Sequence, residues 1–148
     1  MIAVDRGSAR HDILIAALLF GLALALAAAA RFLLVEPTEL AHRCVDAPGT
    51  GICTLRRVIV RLFRFQEPGW AAAVTGALAL FCAPRGGPVL VAGPIRTRIA
   101  VAAGYAALVF GAIGLMLYSF DPAAVGLLLG VIALTRLTVA RRGATTSR

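Results

Sequence analysis

Apolar residues run from Ile13 to Val35 with one interruption, Arg31, in the stretch DILIAALLFGLALALAAAARFLLV. About 20 consecutive apolar residues are needed to cross the ~30 Å hydrocarbon layer of a bilayer, so this block predicts a spanning helix with room for tilt. The basic residues ahead of it and the small-residue run LALAAAA also fit a secretory leader. Because apolar character continues through Phe32–Val35, beyond the usual ~7–15-residue leader core, an uncleaved helix is the expectation.

A second apolar block, AAAVTGALALFCAP, follows EPGW. Proline suits the first turn of a helix because its missing N–H would be unpaired there anyway, so this helix is expected to start at Glu67 or Pro68 and to span 67–83. Trp70 would sit at the interface, where an amphipathic ring is favoured. Prolines and glycines then punctuate the chain from Pro84 to Pro94. A third block covers 99–120 and a fourth 123–140, separated by Asp121-Pro122, a pair that can turn the chain and restart a helix. The expected fold class is an all-α membrane protein of one domain, residues 1–148, with four transmembrane helices.

The loop between the first two blocks, residues 36–66, has a different pattern. At 100° per residue Arg57, Arg61 and Arg64 fall on one stripe, and Leu55, Ile59 and Leu62 on the opposite one. Such a segment is expected to form a short amphipathic helix lying in the membrane interface, with its arginines in contact with anionic lipid or a partner.

Composition strengthens the membrane assignment: 60% of residues are hydrophobic and the mean hydropathy is +0.89, against ~45–50% apolar usage in soluble domains. The net charge is +8, and all fifteen basic residues are arginine. With the abundance of Ala, Gly, Val and Leu, this points to a GC-rich bacterial genome. The arginines flank apolar blocks and form no continuous basic domain, so nucleic acid is not an expected partner; the bilayer is.

Arginine placement also predicts orientation. With both termini cytoplasmic in a bacterial inner membrane, eight arginines (6, 10, 85, 96, 98, 141, 142 and 148) fall inside and five (43, 56, 57, 61 and 64) outside, leaving out Arg31 and Arg136 near span ends.

Placed outside, Cys44 and Cys53 lie where a disulfide persists, and Pro48, Gly49 and Gly51 between them can turn the chain back. A stapled loop is the expectation. The alternative is thiol–disulfide exchange by the same pair, as in the four-helix quinone-coupled oxidases of the periplasm, which this outline resembles. Those enzymes use two cysteine pairs, one a close C-x-x-C, whereas this chain has one C-x8-C pair and a distant Cys82.

No Asp, Glu, His or Lys is expected inside the four blocks, which leaves a transporter of a neutral solute as the least supported alternative. His11 and His42 lie outside them, so neither a haem nor a metal is expected, and no phosphate-binding or nucleophile-elbow motif is present. Packing between helices is expected at Gly126 and Gly130 of GLLLG and along the ladder Ala103, Ala107, Gly111, where small residues let backbones approach. This reads first as packing within the chain and second as a dimer interface.

Taken together, VEPTEL…C…CTLRR…W and the hairpin LMLYSFDPAAVGLLLGVIALTRL resemble a set of small, functionally uncharacterised four-span inner-membrane proteins of proteobacteria with a periplasmic cysteine pair. The resemblance implies architecture and location. The expected role is non-enzymatic, an accessory or assembly subunit.

Overall fold

In a computed structural model, residues 6–46, 49, 51–84, 93–117 and 120–146 are described. Among these the chain is all helical: α1 (Arg6–Ala30), continued by a π turn (Arg31–Val35), α2 (Thr38–Asp46), α3 (Gly51–Arg64), α4 (Glu67–Cys82), α5 (Pro94–Met116) and α6 (Phe120–Thr146).

Among the described residues three stretches are long and apolar enough to cross a membrane: Arg10–Val35, Pro94–Met116 and Phe120–Ala140. The second of the four expected spans is not among them, because α4 has only 16 residues, about 24 Å at 1.5 Å per residue. Its limits are local. Gln66 in the left-handed region (φ 53°) breaks the chain after α3, Pro68 starts the helix, and Ala83 turns extended at its end (ψ 143°).

The other boundaries move as well. α5 opens five residues ahead of Ile99, because Gly93 (φ 76°, ψ 150°) adopts a backbone conformation open to glycine and Pro94 preorganises the first turn. It stops at Met116, and α6 is already helical at Phe120, so the break precedes Asp121-Pro122. Asp121 therefore lies within the first turn of α6, where a carboxylate favours the helix dipole. The loop over 36–66, expected to hold one short amphipathic helix, holds two: α3, which carries the arginine stripe, and α2 ahead of it.

α4, α5 and α6 pack on one another, and α1 lies against α5. Close approaches fix their directions. Gly126 of α6 lies on the backbone of Ala72 and Ala73, and a Cβ at Gly76 would stand 3.0 Å from the Leu129 Cβ, so α4 and α6 run parallel. Across α5, Gly104 faces Leu134 and Gly111 faces Leu127, which makes α5 antiparallel to α6. Tyr105 reaches the Asp12 carbonyl at 3.5 Å and Arg31 reaches the Met116 carbonyl at 3.2 Å, so α1 runs with α5.

The interior is built from small residues. Ala72, Ala79, Ala100, Ala107, Ala112, Ala123 and Ala133 are fully buried, and Leu137 is the one large side chain among the described residues to be so. Large apolar groups point outward instead: Leu14, Leu18, Leu22 and Leu26 form a four-residue-spaced row along α1, with Leu18 71% exposed. A soluble domain of this size would bury such groups, because exposing them to water costs roughly 1.5–3 kcal/mol each. In lipid that term vanishes, and close backbone packing decides which residues go inside. Thr75, Thr135 and Thr138 each bond a carbonyl of their own helix, which satisfies these hydroxyls without water.

Candidate functional site

The chain gathers its most unusual local chemistry at one end of the bundle, where α1 and α5 finish and α4 and α6 begin. The α1 helix widens there. The Glu36 N–H donates to the Arg31 carbonyl at 3.0 Å, a bond five residues back instead of four, and Pro37, with no N–H, ends the ladder. Widening leaves carbonyls at Leu34 and Val35 for an outside donor.

That donor is Arg56 of α3. Its Nε–H donates to the Leu34 carbonyl at 2.9 Å and its NH2 group to the Val35 carbonyl at 3.4 Å, so a cation closes the negative end of the α1 dipole. Arg31 does the same for a neighbouring helix. Its NH1 group donates to the Met116 carbonyl at the end of α5, its Nε–H pairs with the Glu36 carboxylate at 3.0 Å, and its guanidinium stands 5.6 Å from the Phe32 ring centre. Arg96 repeats the device at the opposite end, donating to the Phe81 carbonyl at 2.8 Å over the Phe81 ring.

The sequence places Arg31 near a span end and Arg56 among the arginines of the outer loop, but shows no partner for either. The available signal was an arginine within a turn of a helix C-terminus, and, for Arg56, only the third dimension supplies the carbonyls.

Cys44 of α2 and Cys53 of α3 are bonded, with Cα atoms 5.3 Å apart. Cys53 is buried and Cys44 half-buried. The bridge clasps α2 to α3, and Arg56, three residues after Cys53, fastens the pair to α1. Cys82 is a free thiol at the other end of the bundle, so it cannot serve as a second pair for this disulfide.

Held this way, α3 shows two uncovered faces. Arg57, Arg61 and Arg64 are exposed on one side, while Ile52, Leu55 and Val58, each about half exposed, lie on the other. Among the described residues, apart from the disulfide to α2, it packs mainly against the π turn and α4. Aromatic groups ring the same end: Phe32, Phe65, Trp70 and Phe120 are all exposed. Helix termini here carry the charges their dipoles favour, with Glu39, Glu67 and Asp121 in first turns and Arg43, Arg61 and Arg64 in last turns.

The packing residues expected from sequence lie within the chain. Gly126 meets α4, and Gly130 meets α5, where a Cβ would be 2.9 Å from the Ala107 Cβ. At Gly111 a Cβ would lie 3.0 Å from the Leu127 Cβ. No cluster of His, Cys, Asp and Glu able to hold a metal occurs among the described residues. No family model, curated protein or solved structure matches the chain.

Proposed function

We propose that this chain is a non-enzymatic protein of a bacterial inner membrane that crosses the bilayer four times, with both termini cytoplasmic, and that holds α3 on the outer surface as a contact for anionic headgroups. The observation that carries this reading is the pair of uncovered faces on α3: an apolar side suited to the acyl boundary, and three exposed arginines suited to phosphates. Arg56 and the Cys44–Cys53 bond fix the helix at that level.

The short α4 is the fourth crossing in this reading. It runs parallel to α6 and antiparallel to α5, the alternation that successive passes require. A helix of about 24 Å can serve where its neighbours shield its ends and the bilayer thins locally. Thiol exchange has less support, since Cys53 is buried and Cys82 is remote. A membrane-bound partner on α3, as for an accessory subunit, uses the same surface.

Two measurements test the reading. In intact cells a membrane-impermeant maleimide should label Cys44 and Cys53 only after reduction, and Cys82 only after permeabilisation; labelling of all three from outside would remove the fourth crossing. Hydrogen exchange in nanodiscs should show α3 slowed by phosphatidylglycerol relative to phosphatidylcholine, and the triple change R57Q/R61Q/R64Q should abolish the difference. An unchanged difference would refute the headgroup contact.

A further inference from the structure

The end of the bundle away from the disulfide contains a groove of 670 Å³ between α1 and α6, floored by α5. Its walls include Ala16, Val101, Leu108 and Leu134, with Asp12, Tyr105 and Thr138 among the polar residues that line it. The α6 wall runs from Val131 to Val139, about 12 Å of rise, which is close to half of the ~30 Å hydrocarbon thickness. The volume lies within the ~300–1,000 Å³ typical of small-ligand sites. An apolar slot one leaflet deep and bordered by hydroxyls has the dimensions of an acyl chain and its polar attachment.

Charge at the rim selects the headgroup. Arg10 precedes the lining residue Ile13 by three positions on α1, and Arg98 precedes Val101 by three on α5, so each stands within about one turn of a lining residue. Both are exposed. Among the described residues, this end holds Arg6, Arg10, Arg96, Arg98, Arg136, Arg141 and Arg142 by helix position and one carboxylate, Asp12.

We propose that this groove is a binding site for a phosphate-headed, anionic lipid of the leaflet at that end, its acyl chain between α1 and α6 and its phosphate held by Arg10 and Arg98. The site rests on the membrane reading of the helices and is independent of α3. Asp12, a carboxylate in the lining, opposes the anionic headgroup and limits the affinity.

The test is native mass spectrometry of the full chain, extracted in mild detergent and supplied with phosphatidylglycerol, phosphatidylcholine or phosphatidylethanolamine of the same chain length. One phosphatidylglycerol should be retained per chain, at least tenfold in preference to phosphatidylcholine. A16W, which fills the slot, should reduce retention to background. R10Q/R98Q should erase the preference while leaving the fold intact by circular dichroism, and D12N should raise retention severalfold.

The α3 variant R57Q/R61Q/R64Q should retain lipid as the wild type does. Loss of lipid there would move the site to the opposite end and overturn the proposal. Equal retention of phosphatidylcholine, or a phosphatidylethanolamine preference lost in D12N, would also overturn it, the latter in favour of an amine-bearing ligand. A chain that washes from membranes without detergent would refute the membrane reading itself, a result distinct from any of these.

Discussion

The Arg56 guanidinium lies 2.9 Å from the Leu34 carbonyl, so a side chain of the surface hairpin completes the hydrogen bonding of the first helix. A hydrogen bond to a charged group contributes about 1.5–3 kcal/mol, and here it also anchors α3. Arg56→Gln should therefore speed amide exchange across α2 and α3 by at least tenfold while leaving α4, α5 and α6 protected. If exchange rises uniformly or not at all, Arg56 is not the anchor.

Glycine-to-alanine substitutions should separate by what the new methyl group meets. At Gly21 nothing lies within 4 Å, and the change should stabilise by up to ~1 kcal/mol through helix propensity. A Cβ at Gly104 meets the terminal carbons of Leu134, starting at 2.8 Å, and a flexible side chain can move aside. At Gly126 the obstacle is the backbone of Ala72 and Ala73, which cannot yield without separating α4 from α6. Thermal unfolding in detergent should rank the variants Gly21→Ala above Gly104→Ala above Gly126→Ala, with a cost of ~1–3 kcal/mol for the last.

Opening the disulfide should loosen one subdomain only. In the chain-entropy model a loop of this length restricts the unfolded ensemble by about 2–3 kcal/mol. Cys44→Ser should expose the α2–α3 connection to limited proteolysis and leave the helix content of the bundle unchanged by circular dichroism. Unfolding of the whole chain would show that the clasp supports more than its own hairpin.

Trp70 is the sole tryptophan and a natural depth gauge. It is 61% exposed beside the start of α4, at the level of Phe32 and Phe120 by helix position. Its fluorescence in reconstituted vesicles should be quenched more strongly by lipids brominated near the carbonyls than by those brominated near the chain ends. Deep quenching would place the start of α4 in the hydrocarbon and rule out the interfacial end assigned to it.

Three long apolar blocks and the arginine stripe at 57, 61 and 64 were legible from periodicity alone, because hydrophobic length and a 3.6-residue repeat are one-dimensional properties. The start of α4 at Glu67-Pro68 was legible for a similar reason, a local steric preference. Boundaries that depend on backbone competition were not: the π turn at Arg31, the early start of α5 at Gly93-Pro94, and the break before Phe120 all depend on neighbouring carbonyls and turns.

The sequence by itself determined that this chain is helical, apolar enough for a bilayer and rich in small residues at the spacing helices need to approach. Only the tertiary structure decided which arginine serves which carbonyl, that α2 and α3 are separate helices clasped together, and that α1 and α6 leave a groove over α5. The reason is physical. Helix propensity and hydropathy are sums over neighbours in the chain, whereas the partners of Arg31, Arg56 and Gly126 lie 85, 21–22 and more than 50 residues away, brought near only by packing.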